Sequence, residues 1–271
     1  MIDINRISIF FAIAVTFSCE MQNSNSSLIN KNNASNVVCN FKSKTNNKRV
    51  NGDFQAMHTS TPVIIDGLCD DETWSNMDWN DLNYAWMGPD VDSMDYYGKF
   101  KLAWDSQHLY ILVSMIDDSI SPTLSSGIEN YWKGDYVEVF IDEDKSGGLH
   151  KFNHQAFAYH VSTEGHAIDK GITKQTIFLD DHIQVKRSSS GSQHLWEMAI
   201  SLYNNTFDQS SQDNLPVTIS RLKLIGFSIA YGDNDGNNSR ENFMGSKESH
   251  GQNNDEGYIN SDVFGSLLFV K

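Results

Sequence analysis

The stretch Tyr131-Trp132-Lys133-Gly134-Asp135-Tyr136-Val137-Glu138-Val139-Phe140-Ile141-Asp142 decides the fold. Its second half alternates. Tyr136, Glu138 and Phe140 fall on one face of an extended chain, and Val137, Val139 and Ile141 fall on the other, which is the period of a β-strand. Its first half reads as a loop, so Trp132 and two carboxylates, Asp135 and Glu138, are set at one rim of a sheet. An aromatic plate beside a few acceptors is what a sugar needs. The ring stacks on the apolar C–H face of a pyranose while the carboxylates accept its hydroxyl protons. A Trp at a sheet end is equally well a buried anchor, and both readings of Trp132 stand at this point.

The surrounding sequence follows the same pattern. Val63-Ile64-Ile65 is an apolar run closed by Asp66-Gly67. Lys99 to Trp104 and Leu109 to Ile116 flank Asp105-Ser106 as a hairpin would, and Ile183 to Lys186 and His194 to Ile200 flank Ser188-Ser189-Ser190-Gly191 in the same way. Phe152 to Val161, Ile225 to Tyr231 and Val263 to Val270 add strands, and only Asp71 to Asn76 reads as a helical turn. This predicts an all-β fold: a single-domain antiparallel β-sandwich, jelly-roll or immunoglobulin-like. The 271 residues suffice for a full core. Trp74, Trp104, Tyr110 and Trp196 are assigned to that core or to strand ends.

Ile7 to Phe17 is an apolar run behind Arg6, of signal-peptide length and too short to span a bilayer. It ends Thr16-Phe17-Ser18-Cys19. A small residue directly before a Cys resembles a bacterial lipobox, with Phe17 and Thr16 as departures from the usual pattern. Residues 1–19 are therefore expected to be a lipoprotein signal peptide, with Cys19 carrying the lipid (palmitate among its acyl chains) and anchoring the chain in the cell envelope, at the outer membrane. Ordinary cleavage and secretion is the alternative. Residues 20–55, rich in Asn, Ser and Lys, show no sustained apolar period and are read as a disordered, flexible tether. That leaves 56–271 as the sandwich. Cys39 and Cys69 could pair in an oxidising compartment, though two positions alone do not demonstrate a bridge. The formal net charge is −15, which argues against nucleic acid as a partner. It also disfavours polyanionic sugars unless a local basic patch exists.

The ordered motifs resemble the family 9 carbohydrate-binding modules. They are Thr61-Pro62-Val63-Ile64-Ile65-Asp66-Gly67, Asp70-Asp71-Glu72-Thr73-Trp74, Phe100-Lys101-Leu102-Ala103-Trp104-Asp105, the Trp132–Asp142 stretch, Trp196-Glu197-Met198-Ala199-Ile200 and Phe264-Gly265-Ser266-Leu267. The resemblance covers roughly residues 60 to 271. It implies a β-sandwich that binds oligo- or polysaccharide without chemistry, in support of polysaccharide utilisation. It implies a ligand held between two aromatic plates, here Trp132 and Tyr258, with Glu138 on the sugar hydroxyls. The amide next to the second plate falls near Asp255, with Asn253 and Asn254 adjacent. A clamping Arg has no evident counterpart, Ala158 lying near its place. The carbohydrate-binding set is thus Trp132, Tyr258, Glu138, Asp135 and Asp255.

Asp142-Glu143-Asp144-Lys145-Ser146-Gly147 echoes a calcium loop, with oxygen ligands at alternate positions and a Gly at the sixth. The bidentate Glu expected further on is missing. Asp233-Asn234-Asp235-Gly236-Asn237 is a second acidic turn. Relatives commonly hold structural calcium, so Asp142, Asp144 and Ser146 are taken as a candidate calcium set. Zinc is not expected at His150 and His154, which are read as surface residues. Two further readings compete. Acidic pairs such as Asp117-Asp118 and Asp180-Asp181 would serve a glycan-active hydrolase, and Met87, Met94 and Met244 would serve a haem-binding electron-transfer sandwich of the kind some relatives form.

Overall fold

The computed structural model describes residues 39, 52–89, 91, 96–236, 239–248 and 255–271. The apolar run, Cys19, most of the expected tether, Met94, Asn253 and Asn254 lie outside the described residues. In chain order the strands are β1 (Phe54–His58), β2 (Asn80–Asp81), β3 (Tyr84–Met87), β4 (Tyr96–Trp104), β5 (Leu109–Asp117), β6 (Tyr136–Asp142) and β7 (Phe157–Ser162). Then come β8 (Ala167–Lys170), β9 (Thr176–Phe178), β10 (Ile183–Ser190), β11 (Gln193–Ile200), β12 (Leu224–Asp233), β13 (Asn242–Gly245) and β14 (Gly265–Val270). The helical turn is α1 (Glu72–Ser75). No helix among the described residues is long and apolar enough to cross a membrane.

The fold is a β-sandwich. One layer runs β10-β11-β5-β4, and the other runs β14-β12-β6-β7-β8-β9, with β13 and β3 continuing from β12. β1 joins them, pairing β14 along Phe54–Met57 and β4 at Met57 and His58. Both pairings are parallel; all the others are antiparallel, so the expected antiparallel sandwich has one parallel seam. The period-two pattern explains the two faces of each layer. Phe100, Leu102, Ile111 and Val113 from one layer meet Val139, Ile141, Tyr159 and Phe227 from the other in a common core. The opposite face of β6 carries Tyr136 and Phe140, which pack with Ala158, Ala230, Phe243 and Phe264. Trp74, Trp104, Tyr110 and Trp196 are buried, as their place in the motifs implies. Burying such rings supplies most of the stabilisation, at about 25 cal/mol per Å² removed from water.

Three local differences have physical causes. β1 begins at Phe54, before the expected boundary at 56, because Phe54 is a single buried ring between Phe100 and Phe227, at 5.5 and 5.6 Å, in an otherwise polar run. Cys39, inside the expected tether, is disulfide-bonded to Cys69 and buried beside Val63, Ile65 and Trp74. The Phe152–Val161 segment is a strand only from Phe157; turns occupy 151–156.

Candidate functional site

Glu138 faces outward between Ala230 of β12 and His160 of β7. Small residues at 158 and 230 leave room above this face, where a cavity of about 340 Å³ opens. It is lined by Tyr131, Trp132, Glu138, Lys151, Phe152, His160, Lys170, Lys174, Arg240, Asp255 and Tyr258. Of the five sequence-derived binding residues, Trp132, Glu138, Asp255 and Tyr258 are brought together here from two separate segments.

Trp132 and Tyr258 present their rings, 42% and 38% exposed. The loop before β6 is set by Asp135, whose Oδ2 accepts the Ser121 N–H at 2.6 Å and whose Oδ1 accepts the Asn234 N–H at 2.7 Å. Asp135 is fully buried and does not line the cavity. Its expected role as a sugar acceptor is therefore corrected: it clamps the loop that carries Trp132. Burial, with Asp117 adding repulsion, raises its carboxyl to about 8. The Tyr258 loop is held by the His150 ring, whose Nε2 lies 2.8 Å from the Gly257 carbonyl, and by the Lys151 N–H on the Ile259 carbonyl. A Cβ on Gly257 would stand 2.7 Å from the Phe140 ring, so only glycine lets this loop lie so close. His150 and His154 are buried, not surface residues; His154 stacks on Phe157 at 5.5 Å.

Glu138 is 1% exposed, and its Oε2 has no hydrogen-bond partner. His160 Nε2 lies 3.4 Å away. Burial pushes the Glu138 carboxyl well up, with Asp255 adding repulsion, and pushes the His160 imidazole down to about 3, with Arg240 contributing. Burial thus disfavours the charged form of both groups. Arg240 extends from the β12–β13 connection to Asp255 Oδ2 at 2.9 Å and to the Tyr136 hydroxyl. It supplies the cavity with an Arg from a position unrelated to Ala158, which belongs instead to the packed face of β7. Phe152 and Lys174 line the cavity from left-handed backbone, at φ 62° and 70°, a conformation that costs an ordinary side chain about 1 kcal/mol or more.

Sequence reasoning missed Arg240, Lys151, Phe152, Lys170 and Lys174. All sit in turns or strand ends without a spacing of their own, and their convergence is a product of topology.

In the Asp142 loop, Asp142 Oδ2 accepts the Gly147 N–H and Asp144 Oδ1 the Ser146 N–H, while Asp142 Oδ1 is buried without a hydrogen-bond partner. A second oxygen set lies in the other acidic turn. Carboxylate oxygens of Asp117, Asp233 and Asp235 lie within 4.8 Å of one another, close enough to share one divalent ion, and Asp117 also accepts the Tyr231 hydroxyl. Asp233 and Asp235 belong to the second acidic turn read from the sequence. Asp180 accepts the Ala167 N–H and approaches His166 at 2.9 Å, far in sequence from the buried Asp117; neither acidic pair lines the cavity. Met244 is in the inner core, whereas Met87 is exposed and touches Arg240.

Three comparisons bear on this site. The family described as "Carbohydrate family 9 binding domain-like" matches residues 65–271. Two solved structures of a family 9 carbohydrate-binding module from Caldicellulosiruptor kristjanssonii share the fold. The glucose complex is 17% identical, with a TM-score of 0.57 over 79% of this chain and 95% of that one. The cellotriose complex is 18% identical, with a TM-score of 0.58 over 80% and 93%. No curated protein matches.

Proposed function

Since the chain belongs to the carbohydrate family 9 binding domain-like family, we propose that it is a non-catalytic carbohydrate-binding protein whose ligand occupies the Trp132–Tyr258 cavity. The observation that carries this reading is the buried, unpartnered Glu138 Oε2 beneath two exposed rings. Leaving such an acceptor unsatisfied costs about 1–3 kcal/mol, and a sugar hydroxyl would satisfy it. The glucose and cellotriose held by similar structures support the ligand class. Two plates and a few hydroxyl hydrogen bonds correspond to roughly micromolar to millimolar affinity. The matching family is described as a binding domain, which supports a non-catalytic role.

The reading extends to two features carried by sequence. Cys19 would tether the domain in the cell envelope, at the outer membrane, where a binder concentrates polysaccharide for neighbouring enzymes or transporters. Calcium would be structural, held by Asp142, Asp144 and Ser146 or by Asp117, Asp233 and Asp235. Trp132→Ala tests the site itself. Calorimetric titration should show sugar binding lost with the melting temperature unchanged; undiminished affinity would place the site elsewhere.

A further inference from the structure

The cavity carries a positive charge that the rest of the chain lacks. Lys and Arg number 20 of 271 residues and the net charge is −15, yet four of eleven lining residues are cationic against two carboxylates. Arg240 is held by Asp255 and Lys170 by Glu129, at 2.9 and 3.0 Å. Lys151 and Lys174 pair with no carboxylate among the described residues. Their ammonium groups stand over the cavity's rings instead. Lys151 Nζ is 4.3 Å from the Tyr258 ring centre and 5.3 Å from that of Phe152, and Lys174 Nζ is 5.6 Å from that of Phe152. Lys133 Nζ stands in the same way 5.3 Å from the Trp132 ring centre. Each plate therefore has a cation beside it, held by a weak attraction. A neutral pyranose gains little from these groups and must displace those that cover the plates. A sugar with an anionic substituent meets them as charge-assisted donors. Lys174 is presented from strained backbone at the tip of the β8–β9 turn, closed by its N–H on the Gly171 carbonyl at 2.9 Å.

We propose that the cavity selects a negatively charged glycan, a uronate or a sulfate ester stacked on the aromatic plates, with Lys151 and Lys174 recognising the charge. This rests on the carbohydrate-binding reading of the same cavity. The acidic surface elsewhere does not forbid it, because charges beyond about 8 Å are largely screened at physiological salt and the contacting groups decide. Burial of the Glu138 carboxyl, which disfavours its ionised form, removes one source of repulsion.

The test titrates the full chain with three oligosaccharide sets (neutral gluco- and xylo-oligosaccharides, oligouronates and sulfated galacto-oligosaccharides) at 50 and 500 mM NaCl. One charged set is expected to bind about tenfold more tightly than the neutral set and to weaken several-fold at high salt. Which charged set responds identifies the anion. Lys151→Gln with Lys174→Gln should cost roughly 3- to 30-fold for that set, while Lys151→Arg with Lys174→Arg should retain most of it. Unfolding curves verify that both double variants fold. Equal, salt-independent binding of the neutral set would overturn the charge selection and leave the carbohydrate reading standing. Silence in all three sets would overturn both.

Discussion

Glu138→Met separates a binding role from a structural one because the two roles predict opposite signs. Glu138 is buried on β6 with an unpartnered Oε2, and burial holds its carboxyl toward the neutral form. Methionine has nearly the same length and no polar atom to strand. Removing an unsatisfied buried acceptor should recover part of the roughly 1–3 kcal/mol that it costs. For a domain of this size each kcal/mol moves the melting temperature by about 2–4 °C, so the variant should melt about 2–8 °C higher. Binding should move the other way. One hydroxyl hydrogen bond of about 1 kcal/mol, plus a ligand hydroxyl left facing a thioether, corresponds to about 5- to 30-fold weaker affinity. The assays are thermal unfolding by circular dichroism and calorimetric titration of the same samples. A variant that melts lower and binds as before would refute the reasoning, since Glu138 would then be a structural acceptor whose partner is solvent.

Other outcomes follow from the same geometry. Gly257→Val should weaken sugar binding as much as Tyr258→Ala, because a Cβ there meets Phe140 at 2.7 Å and forces the Tyr258 loop outward; equal affinity to wild type would show that the loop tolerates displacement. Calcium at a hundredfold excess over its dissociation constant should stabilise by about 2.7 kcal/mol, read as a rise in melting temperature that a chelator reverses and Asp233→Asn abolishes; identical curves with and without chelator would remove the ion. His182 is buried against Tyr203 and Phe207 and near His154, which adds repulsion, with Nδ1 2.7 Å from the Tyr159 hydroxyl; its imidazole is pushed down to about 3. A folded-state value below the unfolded value of about 6.5 makes its contribution full above pH 6.5 and progressively lost toward pH 3, by up to about 1.4 kcal/mol per pH unit. His182→Gln should therefore lose stability less steeply below pH 6.5 than wild type; parallel slopes would show that His182 protonates freely in the fold.

The framework was legible because it is written in periodicity. β4 and β5 pair from Trp104–Leu109 outward, and β10 and β11 turn at Gly191, as the hairpin signals implied. β6 carries the alternation read from Tyr136 to Ile141. What escaped was short or irregular. β2, β8 and β9 span two to four residues, too few to show a period, and Val63-Ile64-Ile65 is coil that buries Val63 and Ile65 and leaves Ile64 exposed. Part of the site was legible for the same reason, since Trp132 and Glu138 flank and occupy a strand; Tyr258 came only from the family resemblance, by its fixed gap to Phe264-Gly265-Ser266-Leu267. Asp135 misled because a strand-entry carboxylate looks alike whether it faces a ligand or clamps its own loop; only the positions of Ser121 and Asn234 distinguish the two.

The local rules that the chain breaks bear on where the function lies. Glu138 leaves an acceptor unsatisfied, Phe152 and Lys174 hold left-handed backbone, and Asp169, half-buried and accepting the Ala158 N–H, has its carboxyl raised to about 7 by desolvation. The first two have inexpensive substitutes: an apolar residue at 138, and Gly or Asn at 152 and 174. Strain alone does not mark a site, since Lys145 and Leu222 also have positive φ and do not line the cavity. Coincidence is more informative. Two strained residues, an unpartnered buried acceptor and two cations without carboxylate partners meet around one cavity between exposed rings. On the proposed function, a ligand would supply what the fold withholds: a hydroxyl for Glu138 Oε2, a flat face for Trp132 and Tyr258, and, for an anionic glycan, a charge for Lys151 and Lys174.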